Sequence, residues 1–126
     1  MHIAHIAIWV GDLELMRTFY ERYFDAVSGS IYYNPKNNFT SYFLTFEHGC
    51  RLELMSKPEI LQQSANEQLG LTHIAISLGS EKRVNRMTEK FRMDGYTIAG
   101  EPRITGDGYY ESVILDPEGN RIELTV

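Results

Sequence analysis

His5-Ile6-Ala7-Ile8-Trp9-Val10 lies near the start of the chain, and His73-Ile74-Ala75-Ile76-Ser77-Leu78 restates its pattern 68 residues later. A second stretch returns in the same way: Gly49-Cys50-Arg51-Leu52-Glu53-Leu54 reappears as Gly119-Asn120-Arg121-Ile122-Glu123-Leu124, at a spacing of 70. Duplication of one unit, with a small insertion, produces two nearly equal offsets of this kind. Each copy begins on a histidine and ends on a glutamate, so four side chains of metal-ligand type occupy matching places.

Successive side chains of an extended segment alternate between faces. Ile6, Ile8 and Val10 therefore share one side of the first segment and leave His5, Ala7 and Trp9 on the other. The second copy sets Ile74, Ile76 and Leu78 against His73, Ala75 and Ser77. Leu52 and Leu54 oppose Glu53, just as Ile122 and Leu124 oppose Glu123. All four ionisable groups lie opposite an aliphatic stripe, and an alanine two residues past each histidine leaves room beside the imidazole. Trp9, in phase with His5, is expected near the same pocket.

Working outward, Gly11 breaks the first run and Asp12 can cap a helix whose apolar face is Leu13, Met16, Phe19, Tyr20, Tyr23 and Phe24. In the second copy Ser80 can cap, Val84, Met87 and Phe91 make the stripe, and Asp94-Gly95 ends it. Strands are expected at 27–33, 39–46 and 50–55, and again at 96–104, 109–115 and 121–126, separated by turn residues such as Asn34-Pro35 and Asp116-Pro117. Each copy reads βαβββ, an α+β pattern. The expected organisation is a single domain over 1–126, with one module at 1–56, a connector at 57–70 containing one helical turn, and a second module at 71–126.

The length of 126 residues suits one compact domain or two small modules, and a hydrophobic content of 43% is ordinary for a globular chain. Net charge is −5, the pI is near 5.3, and the arginines are scattered, so no basic footprint for nucleic acid is present. Apolar runs are strand-sized and no signal segment is visible, which gives the expectation of a cytoplasmic protein that does not engage a membrane. The single cysteine, Cys50, cannot form an internal disulfide and falls on the Leu52, Leu54 side, where it reads as a small core residue.

Imidazole nitrogen and carboxylate oxygen together suit Zn²⁺, Ni²⁺, Co²⁺, Mn²⁺ or Fe²⁺, whereas a calcium site is all oxygen. Four such donors in a six-coordinate shell leave two positions for water or substrate oxygens, an open arrangement of catalytic type. The plainer alternative makes each histidine a satisfied strand residue and each glutamate an outward partner of Arg51 or Arg121. It does not explain why both copies keep both residue types at the same parity. Arg17 and Arg103 are the candidates to bind a substrate carboxylate. Arg103 is the better, since it precedes the Gly106, Gly108 loop.

The order His, Glu, His, Glu on the first and last strands of paired βαβββ units, closed by Asp116-Pro117-Glu118-Gly119-Asn120-Arg121-Ile122-Glu123-Leu124, resembles the vicinal oxygen chelate superfamily and, within it, glyoxalase I and its relatives. The resemblance covers nearly the whole chain. It implies two tandem βαβββ modules forming a curled, incomplete β-barrel with helices outside, and a homodimer in which modules are often exchanged between subunits. It implies one divalent metal per site, held by His5, Glu53, His73 and Glu123. The activity implied is that of a lyase or isomerase working on a small substrate with vicinal oxygens through an enediolate-type intermediate, with Glu123 as base and Glu53 as its alternate. No glutathione clamp is evident. An Fe²⁺ extradiol-type dioxygenase is the rival enzyme, although such iron sites present two histidines and one carboxylate, which Glu53 exceeds. A non-catalytic small-molecule binding or resistance protein of the same fold is the rival binder, and such proteins usually lack the histidine and glutamate set.

Overall fold

The computed structural model describes residues 1–60, 69–106 and 108–126. The chain divides into two compact units, Met1–Gln63 and Ser64–Val126. The helical turn expected within 57–70 falls mostly on residues outside that description; at its start the Ile60 amide donates to the Lys57 carbonyl, 3.0 Å away.

In unit 1, strand β1 (His5–Trp9) leads into helix α1 (Leu13–Phe24), followed by β2 (Val27–Ser28), β3 (Tyr32–Asn34), β4 (Phe39–Thr45) and β5 (Arg51–Ser56). Asp12 caps α1 as expected, its carboxylate accepting from the Leu15 amide at 2.9 Å. The helix buries Met16, Phe19, Tyr20 and Tyr23 over Leu44, Leu52 and Leu54 of the sheet. Each such side chain contributes about 1.5–3 kcal/mol through removal from water, which is what holds a short helix in place. The sheet runs β1-β5-β4-β2, with β3 also pairing β4; β1 and β5 are parallel and the remaining pairs antiparallel.

Unit 2 repeats the scheme with β6 (Ile74–Ser77), α2 (Glu81–Met93), β7 (Ile98–Ile104), β8 (Tyr110–Leu115) and β9 (Arg121–Thr125), in the sheet order β6-β9-β8-β7. Ser80 caps α2, accepting from the Arg83 amide, and Gly95 leaves it at φ +85°, a conformation that favours glycine. The buried face is Val84, Thr88 and Phe91, over Ile114, Ile122 and Leu124. Both sheets are mixed and open, and the class is α+β. Among the described residues no helix is long and apolar enough to cross a membrane.

Several local expectations change. The strand expected at 27–33 is two pieces, interrupted by Gly29, Ser30 and Ile31, of which the Gly29 amide donates to Phe43 O of β4, 2.9 Å away. Cys50 is half-buried, just ahead of β5, and is not a core residue. Tyr32, Tyr33 and Tyr109 are exposed, while Tyr42 and Tyr110 reach their helices by hydroxyl donation, to Glu14 at 2.7 Å and to Asn85 at 2.8 Å.

Candidate functional site

Parallel pairing of the first and last strands places the donors. In unit 1, Ala7 is in register with Glu53 and His5 with Arg51, so the imidazole and the carboxylate are diagonal neighbours on one face. His5 Nε2 stands 3.8 Å from Glu53 Oε2. Unit 2 repeats this, with Ala75 in register with Glu123 and His73 Nε2 3.4 Å from Glu123 Oε2. Because the residue beside each glutamate is alanine, nothing on the first strand fills the space between the diagonal pair.

Both separations exceed an ordinary N–H···O hydrogen bond of about 2.7–3.2 Å. Two donors on one cation, each at about 2.0–2.2 Å, stand roughly 3.0–3.5 Å apart at coordination angles of about 90–110°. The second pair matches that spacing, and the first stands a few tenths of an ångström outside it. Within either unit, no third His, Cys, Asp or Glu among the described residues joins the pair. The glutamates are the sheltered partners, with side chains 13% and 18% exposed, and the imidazoles are the accessible ones.

The surroundings of each pair fix its donors. His5 packs edge-on against Phe43, ring centroids 5.2 Å apart, and the Arg51 guanidinium lies over that ring at 4.4 Å from its centroid. Arg51 is thus engaged by an aromatic face and does not neutralise Glu53, as the plainer sequence reading required. In unit 2 the turn before Glu123 is locked by Asp116, whose Oδ1 accepts from the Glu118 and Asn120 amides and whose Oδ2 accepts from the Asn120 side-chain amide. Asp116 is buried, and Gly119 turns at φ +83° where Gly49 of the first copy turns at +88°. The closing signature of the sequence is therefore a device that starts the glutamate strand in a fixed register.

Trp9 lies on the same face of unit 1 as His5 and Glu53, paired with Met55 and 45% exposed. Arg17 does not serve that face: it is bound to Glu14 at 2.8 Å and Glu21 at 2.7 Å, over the Tyr42 ring on the helix side. Arg103 is on the same face of unit 2 as Glu123, in register with Glu111, which is in register with Thr125 two residues past Glu123. Its guanidinium is 3.4 Å from Glu111 Oε1. The grouping of Gly100, Arg103 and Glu111 escaped the sequence reading because β7 shifts register between Gly100 and Arg103, so that three residues of β7 match two of β8. A bulge of this kind puts two residues of opposite parity on one face, which strict alternation forbids.

Against known proteins, the Glyoxalase/Bleomycin resistance protein/Dioxygenase superfamily model matches residues 2–124. The chain is 26% identical to the uncharacterized protein YqjT of Bacillus subtilis over 128 residues, 95% of this chain and 94% of that one. Glyoxalase I from Zea mays superposes with a TM-score of 0.79 at 23% identity over 98% of this chain, which spans only 44% of the maize chain. The trypanothione-dependent glyoxalase I of Leishmania major gives 0.78 at 24% identity, over 99% of this chain and 86% of that one. At such identities these structures speak for the fold.

Proposed function

Because the chain belongs to the Glyoxalase/Bleomycin resistance protein/Dioxygenase superfamily, we propose that it is a metal-dependent lyase or isomerase of the glyoxalase kind, acting on a small substrate with vicinal oxygens. The observation that carries this reading is the repeated pair, His5 beside Glu53 and His73 beside Glu123, on matching strands of the two units, the second at the spacing of two donors on one ion. His5, Glu53, His73 and Glu123 are its four donors to one divalent cation per site, of the Zn²⁺, Ni²⁺, Co²⁺, Mn²⁺ or Fe²⁺ group, drawn from one chain or from two subunits of a homodimer.

When bound, the ion supplies Lewis-acid stabilisation of the negative charge that develops on the substrate oxygens. Glu123, loosened from the ion, would remove the proton α to a carbonyl, the C–H electron pair moving into an enediolate, and would return it to the adjacent carbon while the hydroxyl proton passes between the vicinal oxygens. The electrons stay within the substrate, so no external oxidant or reductant is consumed. Glu53, its duplicate, is the alternate base. Trp9 and Arg103 contact the substrate, the indole along its apolar part and the guanidinium at a polar end.

Two measurements test this. Elemental analysis of reconstituted protein is expected to give about one divalent ion per site, reduced in His73→Ala and in Glu53→Gln. Metal-loaded protein is then assayed with the hemithioacetal of methylglyoxal and glutathione, following thioester formation. Wild type and both variants equally free of metal after reconstitution would end the proposal. Oxygen uptake with catechols, without isomerisation, would replace it with the dioxygenase reading.

A further inference from the structure

Arg103 sits in a built setting. Gly100 does not adopt a positive φ, so its backbone does not call for glycine. What calls for it is space: a Cβ at residue 100 would lie 2.9 Å from Arg103 Nη1 and 3.4 Å from Val113. The guanidinium therefore folds back across the bulge onto the bare backbone of Gly100. Gly100 is in register with Val113, and Val113 with Glu123, so the cation is parked over the row of the sheet that carries the second glutamate. Neighbouring strands lie about 4.8 Å apart, which puts Gly100 roughly 10 Å from Glu123 along that row, with Val113 between them.

Glu111 stands at ion-pair distance from the other edge of the guanidinium, 3.4 Å away. Its side chain is only 11% exposed, while that of Arg103 is 55% exposed. A surface ion pair that serves stability alone has no need to bury its carboxylate, whose desolvation is costly. The duplicated unit supplies an internal control. The place of Glu111 in unit 1, two residues past the glutamate along the last strand and one strand over, is Ser41, and the place of Arg103 is Tyr32. Unit 1 builds the same sheet without a charge there, so the fold does not require the Arg103–Glu111 pair.

We propose that Arg103, given room by Gly100 and oriented by Glu111, is the anchor for a carboxylate group of the substrate on the ligand face of unit 2, so that the substrate class is a carboxylate-bearing compound whose reacting oxygens lie toward His73 and Glu123. Arg103 is a binding residue, Glu111 and Gly100 are positioning residues, and the proposal rests on the reading of His73 and Glu123 as the reacting end of that face. A planar guanidinium with one edge tethered offers the remaining N–H donors to a carboxylate with two oxygens, a pairing that a neutral amide matches poorly.

The test uses metal-free, isotopically labelled protein and two probes of nearly equal shape, acetate and acetamide, followed at the Nε–Hε signal of Arg103. Acetate is expected to shift that signal saturably, with an affinity about tenfold above that of acetamide. Gly100→Ala pushes aside only the flexible end of an arginine side chain, so it is expected to fold, to keep its metal stoichiometry when reconstituted, and to lose most of the acetate preference. Indistinguishable effects of acetate and acetamide, or full retention of the preference in Gly100→Ala, would overturn the proposal. Since no metal is present, loss of the metal-site reading with acetate binding intact, and the converse, give different results.

Discussion

The two units carry the same His, Ala and Glu arrangement on faces that otherwise diverge. One row of the sheet past the glutamate, unit 1 presents Trp9, Met55, Ser41 and Tyr32, whereas unit 2 presents Ser77, Thr125, Glu111 and Arg103. The histidine, alanine and glutamate recur in both copies, while the neighbouring row carries Trp9, Met55 and Tyr32 in one copy and only polar or charged residues in the other. Positions constrained by ion chemistry tolerate few residue types, and positions that meet the rest of a substrate are free to specialise. Under the proposed metal-dependent reading, specificity is expected to lie beside the donors instead of among them.

The sharpest trial of that equivalence is the pair Glu123→Gln and Glu53→Gln. If proton transfer belongs to Glu123, its amide variant should lower kcat about 10²–10⁴-fold on a turned-over carbonyl substrate, and Glu53→Gln should lower it less. Equal losses in steady-state kinetics would show that the copies share the chemistry and that the assignment to unit 2 is wrong. Next in size are the cores. Leu54 and Leu124 stand at matching places one residue past each glutamate, and both are fully buried. Leu54→Ala and Leu124→Ala should each cost about 2–5 kcal/mol in denaturant unfolding. A cost below about 1 kcal/mol at either position would show that one unit collapses around the gap, and that its core is not the equal of the other.

Much of this was legible in residue order alone. Parity assigned His5, Glu53, His73 and Glu123 to their faces because β1, β5 and β9 are regular strands, where alternation is strict, and His73 directly precedes the regular β6. Asp12 and Ser80 announced both helices because a cap is a local contact over three residues. What escaped was set by non-local geometry. The bulges of β7 depend on how β8 pairs with it, so no inspection of residues 96–104 reveals that Gly100 and Arg103 share a face. Arg17 was an open candidate for the substrate because its partners Glu14 and Glu21 read only as neighbours on a helix until Tyr42 of β4 closed the group. Thr88, a polar residue outside the expected stripe of α2, is buried: its hydroxyl donates to the Val84 carbonyl at 2.8 Å and so accepts from Ser112, 2.7 Å away.

That buried pair gives a third prediction, specific to unit 2, since the place of Ser112 in unit 1 is Tyr42. Thr88→Val removes the acceptor and leaves the Ser112 hydroxyl without it, at an expected cost of about 1–3 kcal/mol. Adding Ser112→Ala should recover a large part of that loss, because no polar atom is then stranded. A double variant as unstable as the sum of the two singles would show that the hydroxyls act independently.

The smallest effect belongs to the helix side of unit 1. The Tyr42 hydroxyl, and after it Arg17, hold the Glu14 carboxyl below its ordinary value of 4.5, while the Ser28 hydroxyl and then Arg17 do the same for Glu21. A carboxyl whose folded pKa is depressed adds stability that is fully present above its unfolded value and is lost as pH falls through the folded one. Tyr42→Phe removes the main cause at Glu14, so its stability deficit against wild type should be constant above about pH 5.5 and shrink as pH falls below 4.5. These groups are exposed, and salt should shrink the part owed to Arg17 while leaving most of the part owed to the neutral hydroxyl. Thermal melting of both proteins from pH 7 to about pH 3, at low and at high salt, checks this. A deficit that holds its size across that range would assign the role of Tyr42 to packing of its ring under the Arg17 guanidinium, 5.4 Å from the ring centroid, and not to its hydroxyl.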